Sequence, residues 1–180
     1  MPQAVTHLII SLVLMSIIRD FYVRGKSKKS FPLHYVLIAG VAGLLPDIDI
    51  AAFWVLNSFG FVIGEVHRTF THTLFVPLLF FVLFLAFGNV HLVSLGKHKL
   101  KLGMVFLMIA FGSLIHLLLD GTLAGSITPF YPFLSLSFGF DLINYLPAAL
   151  QGLAMPSLDA LILVLWLVYI EMKHKISDFI

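Results

Sequence analysis

The stretch LGMVFLMIAFGSLIHLLL, residues 102–119, has 18 residues and contains no Asp, Glu, Lys or Arg. A transmembrane helix requires about 20 mostly apolar residues, so this stretch by itself predicts a membrane-spanning helix. Lys101 precedes it and Asp120 follows it directly. Charged residues therefore bound the apolar segment at both ends, as expected for a helix whose ends reach polar surroundings.

The whole chain has the composition of a membrane protein. Hydrophobic residues make up 60% of the 180 residues and charged residues only 11%, whereas soluble domains contain about 25% charged residues. Such a chain has too little polar surface to remain a compact monomer in water. We therefore predict one membrane-embedded domain, residues 1–180, with an all-α fold: a polytopic integral membrane helical bundle of about five spans.

The second of these spans is predicted to be broken. Its first part, Leu33–Leu45, would be only about 18 Å long as a helix, and Pro46 then interrupts the apolar pattern. We expect a broken or partly re-entrant element there, and a long loop over Gly121–Pro156, which is rich in Gly, Pro and Phe. The predicted spans are Ala4–Val23, Pro32–Ile63, Thr73–Val90, Leu102–Leu119 and Ser157–Ile170.

Ten of the eleven basic residues fall on one side if the chain crosses at every predicted span. The positive-inside rule makes that side cytoplasmic, with the N-terminus outside and the C-terminus inside. Arg68 is the exception. The basic clusters contain few aromatic residues, so no nucleic-acid partner is expected. The ten are Arg19, Arg24, Lys26, Lys28, Lys29, Lys97, Lys99, Lys101, Lys173 and Lys175.

Seven histidines and aspartates fall on the opposite, extracytoplasmic side of the predicted bundle. They occur at the outer end of span one, at the break in span two, before span three and at the outer end of span four. An ionisable side chain at bilayer depth is costly unless it is paired, hydrated or coordinated, so it is a functional candidate by default. The seven residues are His7, Asp47, Asp49, His67, His72, His116 and Asp120.

These residue types predict a metal site. The chain has no cysteine, so its metal ligands must be imidazole and carboxylate groups. His116 and Asp120 are four residues apart, share one helical face and can hold the same ion. His67 and His72 would point about 140° apart on one helix. We therefore place His67 in a loop and His72 in the first turn of span three.

The two aspartates at the break leave their individual roles open. Asp47 and Asp49 would diverge on a regular helix. We expect one of them to bind metal directly, and the other to orient a histidine or to activate a water molecule. Glu65 and Asp141 are weaker candidates for the same site.

The number of candidates indicates more than one ion. A catalytic zinc takes three protein ligands and a water, and seven candidates exceed that number. We predict two divalent ions about 3.5–4 Å apart, with zinc favoured over manganese. Arg68 is a further catalytic candidate, because a guanidinium group suits the oxygens of a phosphate.

Four short motifs carry a family resemblance. Thr6-His7-Leu8, Leu44–Asp49, His67–His72 and His116–Asp120, followed by the segment up to Phe133, resemble the motif set of the membrane-bound metal-dependent hydrolase family (the LexA-regulated inner-membrane hydrolase type). The match covers roughly residues 6–141 in order, with Thr69 where the family often has glycine and Ile50 where a further histidine can occur. A more distant similarity, in ligand order only, is to zinc-dependent phospholipase C.

The residues and the resemblance together predict an integral membrane metal-dependent hydrolase. We expect a metal-activated water to cleave a phosphoester of a lipid or lipid-linked substrate at the extracytoplasmic face, with membrane lipids as partners and Asp47 or Asp49 as base. A metal or proton transporter is the alternative, since intramembrane Asp and His residues also form ion paths. A non-catalytic protein that keeps its metal for stability is the third reading.

Overall fold

The computed structural model describes residues 4–88, 90–95, 98–123 and 125–175. It is mostly helical, as predicted, with two short antiparallel strands, β1 (His91–Leu95) and β2 (His98–Lys101). The helices are α1 (Ala4–Tyr22), α2 (Leu33–Ala42), α3 (Ile48–Leu56), α4 (Ile63–Val66), α5 (Phe75–Phe87), α6 (Leu102–Leu123) and α7 (Ala148–His174).

Within the described residues, α1, α6 and α7 are long and apolar enough to cross a membrane. Helix α5 has 13 residues and is therefore about 20 Å long, which is less than the hydrocarbon thickness of about 30 Å. Helices α2 and α3 are shorter still. Three of the predicted spans thus have full-length helices, and the number of five stays a prediction.

The second apolar segment contains two helices joined by a turn. Helix α2 ends at Ala42 and α3 begins at Ile48. The backbone N–H groups of Leu44 and Leu45 donate to Val41 and Ala42, three residues earlier, so the chain tightens before Pro46. Proline disfavours the helical conformation of the residue that precedes it. The turn places Asp47 and Asp49 at the amino end of α3; its re-entry into a membrane stays a prediction.

The connection between α6 and α7 is shorter than predicted. Helix α6 continues to Leu123, and α7 begins at Ala148, nine residues before the predicted Ser157. The early part of α7, AALQGLA, is rich in residues with high helix propensity. Pro156 lies inside this helix; an internal proline removes one backbone hydrogen bond, which the helices of membrane proteins tolerate.

Helix α6 is central: it packs against α1, α2 and α5, whereas α7 packs mainly against α1. Two glycines allow a close approach of the backbones. A Cβ atom at Gly112 would lie 2.4 Å from the carbonyl oxygen of Ala39, and one at Gly43 would lie 2.6 Å from that of His7. Backbone contact between α1, α2 and α6 at this level brings His7 and His116 together.

The basic residues and the His/Asp residues lie toward opposite ends of α1 and α6. His7 is in the first turn of α1 and Arg19 in its last turn, about 18 Å away along the helix axis. Lys101 precedes α6, whereas His116 and Asp120 lie in its second half. The separation of the basic residues from the His/Asp residues therefore exists along the helices themselves.

Candidate metal centre

All seven predicted His/Asp residues lie in one cluster. Helix α1 contributes the first histidine, and the turn before α3 and its first turn contribute the two aspartates. The segment between α4 and α5 contributes two histidines, so His67 lies in a loop as predicted, whereas His72 precedes α5 instead of lying in its first turn. Helix α6 contributes the last pair. Every member lies within 3.7 Å of another through a side-chain nitrogen or oxygen. The convergence of four parts of the chain is a property of the fold, and their role as ligands stays a prediction.

Three groups of three side chains within this cluster could hold a metal ion. In each group the donor atoms all lie within 4.8 Å of one another. The groups overlap, because a histidine or aspartate can belong to two of them. They are His72 with His116 and Asp120, His7 with Asp47 and His116, and Asp47 with His67 and His72.

The first group has donor spacings that suit zinc. His72 Nε2 lies 3.1 Å from His116 Nε2, and Asp120 Oδ2 lies 3.5 Å and 3.7 Å from these two atoms. Donors of a tetrahedral zinc, each about 2.0–2.1 Å from the metal, are about 3.3–3.4 Å apart. All three side chains are almost fully buried. A tetrahedral zinc held by three such donors would have one further position, for water, substrate or a fourth ligand.

Hydrogen bonds at the second ring nitrogen orient two of these histidines. His116 Nδ1 donates to the carbonyl oxygen of Gly43 at 2.7 Å, and His72 Nδ1 lies 3.1 Å from Asp49 Oδ2. When Nδ1 carries the proton, Nε2 is left with a free lone pair.

Asp49 occupies the position of an orienting carboxylate. Its Oδ1 accepts a hydrogen bond from His67 Nδ1 at 2.9 Å, and its Oδ2 accepts one from the Thr71 hydroxyl at 2.8 Å. The backbone N–H of Arg68 also donates to Oδ2, at 3.2 Å. Both oxygens of Asp49 are therefore engaged by the 67–72 segment, and Asp49 belongs to none of the three groups.

Asp47 faces the histidine Nε2 atoms instead. Its Oδ1 lies 3.4 Å from His72 Nε2 and 3.5 Å from His116 Nε2, and it belongs to two of the three groups. The two aspartates, whose roles the sequence left open, thus differ in position. Asp47 lies among the possible metal ligands, and Asp49 lies behind the histidines.

Arg68 links the two sides of the cluster. Its guanidinium Nη2 lies 3.1 Å from Asp120 Oδ1, while its backbone N–H bonds to Asp49. The φ angle of Arg68 is 64°, in the left-handed region, which costs a non-glycine residue about 1–2 kcal/mol. A Cβ at Gly125 would lie 2.5 Å from Arg68 Nη1. The absence of a side chain at Gly125 therefore leaves space for the guanidinium group that pairs with Asp120.

One cavity adjoins the cluster: it has a volume of about 570 Å³, is partly polar and is lined by His67 and Arg68. A second cavity, of about 520 Å³, is apolar and lies between α5 and α6. The polar cavity is also lined by Ile63, Gly64, Thr69, Thr128, Tyr131 and Ser135.

The weaker candidates are not part of the described cluster. The side chain of Glu65 lies outside the described part of the chain. Asp141 accepts hydrogen bonds from the backbone N–H of Gly125, at 2.9 Å, and from the side chain of Asn144. Asp141 therefore stabilises the connection between α6 and α7, and it belongs to none of the three groups.

Sequence reasoning missed Asp159. This residue lies in α7, where its carboxylate accepts a hydrogen bond from the Thr6 hydroxyl of α1, and Thr6 immediately precedes His7. A signal was present, because an aspartate within an apolar segment predicted to cross a membrane is itself a functional candidate.

The fold defines a mostly helical integral membrane protein with a largely buried His/Asp cluster. A family model described as YdjM inner membrane protein matches residues 1–176. The chain therefore belongs to the YdjM inner membrane protein family and is an integral inner membrane protein. No curated protein and no solved structure gives a significant match to it.

Proposed function

We propose that this protein is a membrane-embedded metal-dependent hydrolase. The observation that carries the proposal is the spacing of 3.1–3.7 Å among the donor atoms of His72, His116 and Asp120. Hydrogen bonds at Nδ1 support it, since they leave the Nε2 atoms of the two histidines available. Three ligands with an open fourth position are typical of catalytic zinc, whereas structural zinc sites have four.

Asp47 supports the proposal of a second ion. Asp47 belongs to one possible metal-binding group with His7 and His116, and to another with His67 and His72. A carboxylate between two donor sets is suited to a pair of divalent ions about 3.5–4 Å apart. We favour zinc, with manganese as the alternative, because imidazole and carboxylate ligands accept both.

The chain's own residues have separate tasks in this proposal. Bound ions would lower the pKa of a water and stabilise the developing charge on a phosphoryl group. Asp49 keeps His67 and His72 oriented through its two oxygens. Arg68 lines the polar cavity, so its guanidinium group provides positive charge where an anionic substrate would enter.

The two cavities support an amphiphilic substrate with a phosphoester bond. The polar cavity offers a guanidinium and an imidazole to a phosphate group, while the apolar cavity between α5 and α6 offers space to an acyl chain. Basic residues lie toward the other end of the helices, which supports placing the cluster at the extracytoplasmic face. A membrane lipid or a lipid-linked phosphoester has this chemistry.

The first test is elemental analysis of the full chain purified in detergent. We expect about two zinc or manganese ions per wild-type chain, and loss of bound metal in Asp120→Asn, which removes a ligand charge. Asp141→Asn is the matched control, because Asp141 is engaged with Gly125 and Asn144. A wild-type chain that holds no metal after purification in metal-containing buffer would refute the proposal.

The second test concerns the substrate. Metal-loaded protein should release a phosphorylated product from at least one lipid phosphoester in a broad panel, and Asp120→Asn should not. If the metal is intact but no phosphoester is cleaved, the phosphoester assignment is wrong. Metal flux into proteoliposomes without any hydrolysis would favour the transporter instead.

A further inference from the structure

Asp159 is a buried carboxyl in a mostly exposed helix. It is 8% exposed, although only 6% of the apolar 18-residue window of α7 is buried within the structure. One carboxylate oxygen accepts the hydrogen bond from Thr6, whose side chain is fully buried. The other, Oδ2, is buried and has no hydrogen-bond partner among the described residues. A carboxyl group in such surroundings is costly, so its presence calls for an explanation.

His7 differs from the other histidines of the cluster. In His67, His72 and His116, Nδ1 contacts Asp49 or the carbonyl oxygen of Gly43. In His7, Nδ1 is buried without a hydrogen-bond partner in the described part of the chain. A ligand histidine is normally oriented by a hydrogen bond at its second nitrogen, so something else must orient this ring.

Two contacts near His7 can orient its ring. The ring stacks on that of His116, with centroids 3.8 Å apart and an interplanar angle of 21°. The preceding residue, Thr6, is tied to α7 through Asp159. Helix α1 begins at Ala4, so both residues are in its first turn, where backbone N–H groups lack partners within the helix and the turn frays readily.

We propose that Asp159 is a positioning residue for His7, acting through Thr6. Successive helical residues point about 100° apart, so Thr6 faces α7 while His7 faces α6. The tether fixes the rotation of the first turn and thereby holds His7 Nε2 at 3.5 Å from Asp120 Oδ1. This inference rests on the metal centre of the proposed function, and it gives α7 a task in that centre.

The other end of the α1–α7 pair supplies a matched control. There, the Tyr169 hydroxyl donates to Asp20, and Lys173 Nζ lies 3.7 Å from the same carboxylate. This contact also joins the two helices, but it lies near Arg19, far from His7. Loss of general helix packing and loss of His7 positioning can therefore be distinguished.

The experiment compares Thr6→Val, Asp159→Ala and Asp159→Asn with Tyr169→Phe in the full purified chain. Zinc affinity is measured by competition with a chelator, and Co²⁺ substitution reports the ligand geometry through its visible spectrum. We expect Thr6→Val and Asp159→Ala to weaken metal binding about 10–100-fold and to alter the cobalt spectrum. The double variant Thr6→Val/Asp159→Ala should bind metal no more weakly than either single variant, since both substitutions remove the same contact.

The conservative variant and the control decide the outcome. Asp159→Asn should keep near wild-type affinity, because its amide oxygen can accept the same hydrogen bond, and Tyr169→Phe should keep it as well. Unchanged affinity in Thr6→Val, or an equal loss in Tyr169→Phe, would overturn the inference while leaving the metal centre intact. A wild-type chain that binds no ion would overturn the metal centre and this inference with it.

Discussion

At the scale of single residues, Asp47 and Asp49 illustrate how position decides a carboxylate's task. Asp49 accepts hydrogen bonds at both oxygens from the 67–72 segment, so both oxygens already have partners other than an ion. Asp47 directs Oδ1 toward the Nε2 atoms of His72 and His116. A carboxylate that orients ligand histidines modulates metal affinity, whereas a carboxylate that binds the ion directly determines whether it is held.

The corresponding prediction compares Asp47→Asn with Asp49→Asn. We expect Asp47→Asn to lose bound metal, because a neutral amide is a poor ligand for zinc. Asp49→Asn should still bind metal, about 10–100-fold more weakly, because the amide nitrogen cannot accept the hydrogen bonds that one carboxylate oxygen now accepts. Metal titration of both variants measures this difference. A greater loss of bound metal in Asp49→Asn than in Asp47→Asn would mean that the two aspartates have the opposite roles.

At the scale of elements, the approach of α1, α2 and α6 determines whether the cluster forms. Gly112 has no side chain, so α6 can lie against the backbone of α2. Gly43, directly after α2, also has none, so the end of α2 can lie against α1. The carbonyl oxygen of Gly43 is also the acceptor for His116 Nδ1. A single region of close backbone contact thus supplies both helix packing and the orientation of a proposed ligand.

Gly112→Ala tests this contact. The added Cβ would lie 2.4 Å from a backbone oxygen and 2.7 Å from the backbone nitrogen of Gly43, and backbone atoms cannot move aside as a flexible side chain can. We expect a loss of about 1–3 kcal/mol in the free energy of unfolding, measured by denaturation in detergent, together with weaker metal binding.

Gly152→Ala in α7 is the control for that substitution. A Cβ at Gly152 meets nothing within 4 Å, so alanine should stabilise the helix by about 0.5–1 kcal/mol. Equal destabilisation of both variants would show that the close approach at Gly112 is not what limits packing.

At the scale of the whole molecule, the distribution of charge along the helices predicts the orientation in the membrane. Histidines and aspartates of the cluster lie toward one end of α1 and α6, and Arg19 and Lys101 lie toward the other. Basic residues are retained on the cytoplasmic side. The 125–145 connection should then be extracytoplasmic, together with the cluster.

Labelling with a membrane-impermeant thiol reagent tests this orientation, because the chain has no cysteine of its own. Ser137→Cys, at an exposed position of the connection between α6 and α7, should react in intact spheroplasts. Ser27→Cys, at an exposed position of the basic loop after α1, should react only after the membrane is permeabilised. The reverse pattern would contradict the predicted topology.

The sequence by itself determined the membrane class, the helical fold and the identity of the polar cluster. Apolar length predicts α6 from residues 102–119 alone, and the i,i+4 spacing of His116 and Asp120 follows from helix geometry. The predicted start of α7 at Ser157 is wrong, because the helix begins at Ala148 and contains Pro156, which the helices of membrane proteins tolerate. Local periodicity is sufficient for such features because neighbouring residues produce them.

Only the tertiary structure decided which partners these residues have. The separate positions of Asp47 and Asp49, the pairing of Arg68 with Asp120 and the tether from Thr6 to Asp159 all join residues far apart in the chain. Such contacts depend on how closely helices approach and on the turn between α2 and α3. The distances between these residues are set by packing between elements, and the periodicity of a single segment carries no information about that packing.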